Sequence, residues 1–156
     1  MKYARLTKEQ FEELHPEFIN FLATQSIDKA EWDNIKANKP EVAEQELDVF
    51  SDLIWEGVLT RATHLEYFSK NHVFLFHCKA DQIETIVLKS IDASIDFLTN
   101  EGLHWLGDHL FTDQLSMQQG AKKYADRNTD LFALIQQGAI LSDGKLYDQI
   151  ISIILS

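Results

Sequence analysis

The chain has 156 residues, 45% hydrophobic and 25% charged, with a net charge of −11, which predicts one globular domain over residues 1–156. No apolar run approaches the roughly 18 residues of a membrane span, no signal peptide is recognisable, and the one cysteine excludes an internal disulfide, so we expect a cytoplasmic protein. Residues 7–60 carry four lysines against 13 acidic residues, which argues against nucleic acids and membranes as partners.

The N-terminal part of the chain predicts helices. Thr7 and Gln10 have the spacing of a capping box, and apolar residues then recur at helical intervals. Pro16 interrupts this pattern and would remove a helical hydrogen bond, so we expect a break or kink near His15. Asp28 is well placed to cap a second, short helix that ends near residues 36–38.

A longer helix is predicted to begin at Pro40, because proline is favoured in the first helical turn. Its predicted inward stripe comprises Ala43, Leu47, Phe50, Ile54 and Val58, widened by Val49 and Leu53. Trp55 and Leu59 fall off this stripe and need a second surface, either in this chain or on a partner. We favour burial in this chain, because the helix must turn into the following segment there.

Residues 64–89 are rich in β-branched and aromatic residues and are divided by two short polar clusters. Such runs predict strands, and gaps this short allow antiparallel hairpins but no parallel crossover. The middle strand is apolar on both faces, with Phe74, Phe76 and Cys78 on one and Val73, Leu75 and His77 on the other. Residues 91–97 alternate apolar and polar side chains, which suggests a fourth, half-exposed strand or an extended loop.

The C-terminal part is again helical in pattern. Thr99 or Asn100 can cap a short helix, and the irregular residues 107–127 predict a long surface connection. Asn128 is expected to cap a compact helix that ends before Gly138.

The last helix is predicted to start at Ser142 and Asp143 and to end in the sequence IISIIL, which is apolar nearly all round. Such a helix is expected to be buried, in this chain or in a dimer. Helices at both ends and strands between them predict an α+β fold, with N-terminal helices, a central antiparallel meander of three or four strands, and C-terminal helices packed on it.

Candidate metal ligands are scattered along the chain. His104 and Asp108 are four residues apart on one helical face, a spacing that a metal site can use, and His64 and His77 lie in predicted strands. His77 and Cys78 point to opposite faces of a strand, so they cannot easily share an ion. Because no CxxC, HExxH or EF-hand motif is present, we expect no metal and no other cofactor.

No motif for catalysis was found either. Cys78 lies in an apolar strand, which predicts a buried thiol rather than a nucleophile. Residues 138–145 resemble a phosphate-binding loop only superficially, since the glycines are one residue too far apart and Leu146 replaces the Ser or Thr that would bind magnesium. We therefore predict no catalytic residue and lean against an enzyme.

Several stretches together resemble a known family: MKYARLTKEQFEEL at the start, FINFLA, the helix start around residues 27–32, FSDLIWE and LFALIQQGAILSDGKLY. They resemble a family of small, acidic bacterial proteins classed as a domain of unknown function, over most of the chain. The similar positions are apolar residues, caps and turns. The resemblance therefore implies one intact domain and a cytoplasmic location, but no activity, cofactor or functional residue.

Two functional hypotheses follow. In the first, the chain is a non-catalytic cytoplasmic protein that binds itself or another, unidentified protein. Its interaction surface would include Trp55 and Leu59, together with Ile151 and Ile154 of the last helix. The acidic N-terminal helices either keep the protein soluble or bind a basic partner.

In the second hypothesis, the chain is a small enzyme or ligand-binding protein. Its pocket would lie between the sheet and the helices and would be lined by His64, Glu66 and His77. A deep cavity with converging histidine and carboxylate groups would favour this hypothesis, and a filled core would count against it.

Overall fold

The computed structural model describes residues 1–156 and contains two compact units, Met1–Thr60 and Arg61–Ser156. The first unit is helical, with α1 (Lys8–Glu13), α2 (His15–Thr24), α3 (Lys29–Asn38) and α4 (Pro40–Arg61), of which α4 ends in the second unit. The single domain predicted over residues 1–156 stays a prediction. None of the helices combines the length and the apolar character that a membrane span requires.

The helix boundaries of the first unit follow the predicted caps. The Thr7 side chain accepts a hydrogen bond from the backbone N–H of Gln10, and the Gln10 side chain accepts one from the N–H of Thr7, which completes the capping box. The predicted break near His15 is confirmed, since α2 begins there with Pro16 in its first turn. Asp28 caps α3 by accepting a hydrogen bond from the N–H of Glu31.

The buried face of α4 differs from the predicted stripe. Val49 and Leu53 are 56% and 57% exposed, so their assignment to the inward stripe was wrong. The fully buried Ser51 is part of the core instead, because its hydroxyl group both donates and accepts a hydrogen bond there. It donates to the carbonyl of Leu47 at 2.7 Å and accepts from the N–H of Leu6 at 3.1 Å.

The residues before α1 are held by polar side chains of α4. The N–H groups of Lys2 and Tyr3 both donate to the carboxylate of Asp52. The guanidinium of Arg5 lies 2.6 Å from the carboxylate of Asp48. The segment is therefore anchored through its backbone and through charge, and apolar periodicity does not predict such contacts.

The second unit contains one antiparallel sheet with the strand order β4-β3-β2-β1-β5. Its strands are β1 (His64–Phe68), β2 (His72–Cys78), β3 (Gln82–Ser90), β4 (Leu115–Lys123) and β5 (Ile140–Ser142). Its helices are α5 (Asn100–Asp108), α6 (Arg127–Gln136) and α7 (Lys145–Leu155). The predicted α+β fold is thus confirmed, with β1, β2 and β3 forming the central meander.

One face of this sheet carries the main core of the second unit. Val73 and Leu75 of β2 are fully buried there, and α7 packs against β2. The buried members of this core are Val73, Leu75, Ile86, Leu88, Phe97, Leu106, Leu115, Tyr147 and Ile150.

The start of α6 is fixed at the C-terminal end of β2. The guanidinium of Arg127 donates there to the carbonyls of Ala62 and Cys78.

The strand suggested for residues 91–97 is absent, and the reason is local hydrogen bonding. The Asp92 carboxylate accepts hydrogen bonds from the N–H and hydroxyl groups of Ser94, and the Asp96 carboxylate accepts one from the N–H of Leu98. An aspartate that bonds to the backbone two residues later forms a turn in place of a strand ladder. The alternation of apolar and polar residues was therefore misleading here.

The outer strand β4 lies inside the segment predicted as a surface connection, so that prediction was wrong. Its nine residues pair with the nine residues of β3, from Gln82 opposite Lys123 to Ser90 opposite Leu115. Residues 118–123 are exposed, and both faces of the strand are therefore polar. Since a strand that is exposed on both faces has no apolar alternation, periodicity could not reveal it.

The remaining helix ends are set by a few specific residues. Thr99 caps α5 as predicted, but the cap of α6 is Asp126 and not the predicted Asn128. Gly138 follows α6 with φ +116°, as expected for a residue just beyond a helix end. In α7, Ile150 is completely buried, whereas Leu155 is 80% exposed in this chain, so burial of the C-terminal end in a dimer stays a prediction.

Candidate functional site

A large open pocket lies in the first unit, among α1, α2 and α3, and is closed on one side by Leu47 of α4. Its volume is about 1180 Å³. We call it the N-terminal groove. Its apolar lining comprises Leu6, Phe11, Phe18, Ile19, Leu22, Ala23, Ile27, Trp32 and Leu47, and its charged lining comprises Arg5, Lys8, Glu12, Asp28, Lys29, Asp33 and Lys36.

The floor of the N-terminal groove is part of the core of the first unit. Phe18, Leu22 and Trp32 are at most 9% exposed, and the Phe18 ring contacts the Trp32 ring edge-on at 5.3 Å between centroids. A second edge-on contact at 5.8 Å joins Phe18 to Phe11. Ile19 lies beside this floor and is 42% exposed. The groove therefore combines a firmly packed aromatic floor with an accessible apolar lip.

Basic residues are concentrated at this groove. Residues 1–60 contain six Lys and Arg but 13 Asp and Glu, whereas the charged lining of the groove has four basic and three acidic residues. Lys36 lies 3.5 Å from Asp33 and 5.8 Å from the centre of the Trp32 ring. Lys8 and Lys29 have no carboxylate within ion-pair distance. Two cations beside an apolar floor are thus available to an anionic group.

The turn between α2 and α3 forms one end of the groove, and its sequence does not indicate the turn. Ser26 adopts φ +60°, and the N–H groups of Ser26 and Ile27 donate to the carbonyls of Ala23 and Leu22. This is the Schellman arrangement, in which the left-handed position is usually a glycine. A serine there does not signal a helix end. The helical spacing of Phe11, Phe18 and Leu22 predicted helices in this part of the chain but gave no sign of a groove.

A second cluster lies on the main core face of the sheet in the second unit. His64 of β1 is directly opposite His77 of β2, and their rings stack at 4.6 Å between centroids with an angle of 4°. The Tyr147 ring of α7 lies 5.5 Å from the His64 ring and 5.2 Å from the His77 ring. We call these three residues the histidine stack. It is packed against a helix, and His64 is only 7% exposed.

His64 is held tightly on all sides. Its Nδ1 lies 3.0 Å from the Thr63 hydroxyl, while its Nε2 is buried without a hydrogen-bond partner and is 3.6 Å from the Asp148 carboxylate. Gly144, with φ +77°, packs so closely that a Cβ atom there would overlap the imidazole. Burial, reinforced by His77, lowers the pKa of His64, so its ring is neutral at pH 7.

Glu84 of β3 connects the histidine stack to a set of hydrogen bonds. Its carboxylate accepts from Lys79 at 3.0 Å, from Gln82 at 3.2 Å and from the Tyr147 hydroxyl at 3.2 Å. The hydrogen bond from Lys79 is the main reason why the pKa of Glu84 is lowered, whereas burial raises the pKa of Tyr147 to about 12. At neutral pH the carboxylate is therefore ionised and the phenol remains protonated, so the phenolic oxygen is not a nucleophile.

The residues predicted to line a pocket do share one face of the sheet. Glu66 lies two residues after His64 on β1, opposite Leu75 and Ile140, and burial raises the pKa of its carboxyl group. The register thus places His64, Glu66 and His77 on one face of the sheet, and His64 and His77 are direct neighbours there. Tyr147 covers both imidazoles, however, and the large groove lies instead among the helices of the first unit.

The candidate metal ligands do not converge. No group of three or more His, Cys, Asp or Glu side chains is arranged to hold a metal ion. Parallel stacking directs the ring nitrogens of His64 and His77 alongside each other and not toward one point. His104 and Asp108 are exposed on α5. Cys78 is buried, as predicted, and burial raises the pKa of its thiol to about 11.

The predicted interaction residues lie in different surroundings. Leu59 is completely buried and thus not accessible to a partner. Trp55 is half-buried and packs against the core of the first unit. On α7, Ile151 is half-buried and Ile154 is 38% exposed. Of these four residues, only Ile154 is exposed.

Comparison with known proteins identifies the family. No curated protein and no solved structure matches the chain with significant similarity. One family model, described as a family of unknown function (DUF6495), matches residues 1–155. This match confirms the resemblance that apolar positions, caps and turns indicated. Because it covers nearly the whole chain, the protein belongs to the family of unknown function DUF6495.

Proposed function

We propose that this chain is a non-catalytic binding protein whose N-terminal groove receives an acidic amphipathic helix of a partner protein. The observation that carries the proposal is the groove itself. It is about 1180 Å³ in volume, has an aromatic floor, and is bordered by two lysines without an ion-pair partner in an otherwise acidic unit.

The size of the groove favours a helix over a small molecule. Pockets for small molecules usually occupy about 300–1,000 Å³, and this groove exceeds that range while remaining open on one side. An α-helix with its side chains is about 10–12 Å across, and helix-in-groove recognition inserts apolar anchors at positions i, i+3 or i+4, and i+7. Ile19, at 42% exposure, provides an apolar contact for such anchors at the lip of the groove.

The charges beside the groove favour an acidic partner over a basic one. Lys8 and Lys29 are placed to contact carboxylates that flank the apolar anchors of a bound helix. A basic helix would bring like charges together at the same positions. The acidic residues of the first unit are mostly outside the groove, since only three of 13 line it. The basic partner considered for the acidic N-terminal face is therefore not the occupant proposed for the groove.

The histidine stack supports a binding role over the small-enzyme alternative. General acid–base catalysis needs a titratable group that can reach a substrate. His64 is 7% exposed and covered by Tyr147, and Glu84 is engaged in three hydrogen bonds. His64 is thus enclosed and Glu84 is engaged in hydrogen bonds, which favours a binding role over a catalytic one.

The proposal can be tested with a synthetic helix-forming peptide of about 16 residues, long enough to form a helix on binding. The peptide carries leucines on one face and glutamates on its flanks, and a second version has lysines in place of the glutamates. Binding is followed by fluorescence anisotropy of a labelled peptide and by the change in tryptophan emission, to which Trp32 in the groove contributes. We expect micromolar binding of the acidic peptide and at least about tenfold weaker binding of the basic one.

Three variants of the chain localise the contact. Ile19→Asp should abolish binding, and Lys29→Glu should weaken it about tenfold. Lys39→Glu makes the same charge change outside the groove lining and serves as the matched control. Equal binding of the acidic and basic peptides, an equal effect of Lys29→Glu and Lys39→Glu, or no binding at about 1 mM peptide would each overturn the proposal.

A further inference from the structure

The outer edge of β4 offers a second interaction surface that is independent of the N-terminal groove. β4 is the last strand of the sheet, so only β3 pairs with it. Residues 118–123 are exposed on both faces. An edge strand of nine residues leaves a row of N–H and C=O groups that another strand can pair with.

The hydrogen bonds to β3 determine which residues face outward. The N–H of Ile91 donates to the carbonyl of Gln114 at 3.0 Å, and these two residues are opposite each other in the continued register of β3 and β4. Hydrogen-bonded and non-hydrogen-bonded pairs alternate along an antiparallel ladder. The even-numbered residues of β4 therefore bond to β3, and the odd-numbered residues 117, 119, 121 and 123 direct their backbone groups outward.

We propose that β4 pairs with β4 of a second copy, antiparallel about a two-fold axis at Gln118, which joins the two sheets. In this register Met117 pairs with Gln119 of the other copy, and Ala121 donates its N–H to the carbonyl of Leu115, whose own N–H donates to the carbonyl of Thr112. Both are pairs of odd-numbered residues, as the outward hydrogen bonds require. A register shifted by one residue would place odd-numbered residues opposite even-numbered ones, and the outward N–H and C=O groups of the two copies would not meet.

Charge selects this register among those with the correct hydrogen bonding. Lys123 at the end of β4 comes within reach of Asp113 of the other copy, an exposed residue in the turn just before β4. The symmetry generates this ion pair twice. A shift of the antiparallel register by two residues in either direction places Lys123 opposite Leu115 or Phe111. Parallel pairing in register would place Lys122 and Lys123 beside the same two lysines of the other copy. The two lysines thus oppose parallel pairing but not the proposed antiparallel one.

The axis position provides a test specific to the register. Gln118 would face Gln118 of the second copy in a non-hydrogen-bonded pair, with Cα atoms about 4.5 Å apart, a distance that a disulfide can span. Gln118→Cys should therefore form covalent dimers under mild oxidation. Ser116→Cys on the same face is the matched control, because its symmetry mate would be four residues out of register, about 13 Å away. The wild-type chain controls for the buried Cys78.

Charge exchange tests the ion pairs in the full chain by analytical ultracentrifugation. Asp113→Lys and Lys123→Asp should each weaken the wild-type dimer roughly tenfold, and the double variant should restore it, because the pairs re-form with reversed signs. Both positions are exposed, so the circular dichroism spectrum should not change. A wild-type chain that is monomeric at about 1 mM, equal cross-linking of the two cysteine variants, or a double variant no stronger than the single ones would overturn the inference.

Discussion

The N-terminal groove and the histidine stack both concentrate aromatic rings, but they place their polar groups in opposite ways. In the groove, Phe18 and Trp32 are buried beneath an open surface, and Lys8 and Lys29 beside them have no ion-pair partner. In the stack, the ring of His64 is 7% exposed and lies under α7. Similar residue types thus line an open surface in one place and form an enclosed cluster in the other, and accessibility makes the difference.

The largest effect is expected for the floor of the groove. Phe18→Ala removes a ring that contacts Phe11, Trp32 and Phe50, with edge-on contacts down to 5.0 Å between centroids. The free energy of unfolding should fall by about 3–5 kcal/mol, as for other buried Phe→Ala changes. Guanidinium denaturation followed by tryptophan fluorescence measures this loss. The neighbouring Ile19→Ala should cost less than about 1 kcal/mol, because this side chain is partly exposed. Similar losses for both variants would contradict the distinction between floor and lip.

The packing of the histidine stack is tested at Gly144. Alanine there meets two penalties, the positive φ of +77° and the overlap of its Cβ with the His64 ring. Together they should lower the free energy of unfolding by about 2–4 kcal/mol. Gly107→Ala is the matched control, since no atom lies within 4 Å of its Cβ position, and it should stabilise α5 by about 0.5–1 kcal/mol. If Gly144→Ala were as stable as Gly107→Ala, His64 could not be packed as described.

The two units also differ in how a buried polar group is satisfied. The hydroxyl of Ser51 donates to one backbone group and accepts from another, whereas Nε2 of His64 has no hydrogen-bond partner. Ser51→Ala should cost about 1–3 kcal/mol, because it leaves the buried N–H of Leu6 unpaired. Urea denaturation measures the loss, and hydrogen exchange at Leu6 should accelerate. Ser152→Ala removes an exposed hydroxyl that bonds only to its own helix, so it should change stability by less than about 0.5 kcal/mol.

Much of the fold could be predicted because its signals are local. The caps at Thr7, Asp28 and Thr99 lie within three residues of the groups that they bond. The meander could be predicted because its strands are separated by only a few residues. The same local reasoning put His64 and His77 in strands but did not give the register that places them opposite each other.

The errors arose where tertiary contacts outweigh local pattern. β4 has a polar sequence and is held by its pairing with β3. Because the two strands are far apart in the chain, local sequence patterns do not reveal this pairing. Lys8 and Lys29 line the same groove although they belong to different helices, α1 and α3. Asp126 and Asn128 are both good capping residues, and only the path of the chain decides between them. Tyr147 completes the histidine stack from a distant helix, and the sequence predicted neither the stacking of the two histidines nor its cover.

The smallest effect is expected at His64 itself, and it depends on pH. His64→Phe replaces a buried imidazole that has an unpaired nitrogen, so near pH 7 the stability should change little. The lowered pKa of His64 means that the unfolded chain binds a proton below about pH 6.5, whereas the folded chain does so only at lower pH. The wild-type free energy of unfolding should therefore fall through this window, and the variant should lose that part of the decline.

Charged groups around the ring of His64 shift its pKa in both directions, and the same groups are present in the wild type and in the His64→Phe variant. His77 lowers the pKa of His64, and Asp148 and Asp143 raise it. Glu66 has a raised pKa, so its own contribution grows as the pH falls, opposite in sign to that of His64. Urea denaturation of wild type and His64→Phe at several values between about pH 7 and pH 5 cancels the contribution of Glu66 in the difference. Equal pH slopes would show that the ring of His64 titrates as freely in the folded chain as in the unfolded one, which is incompatible with a neutral imidazole enclosed by Tyr147 and Gly144.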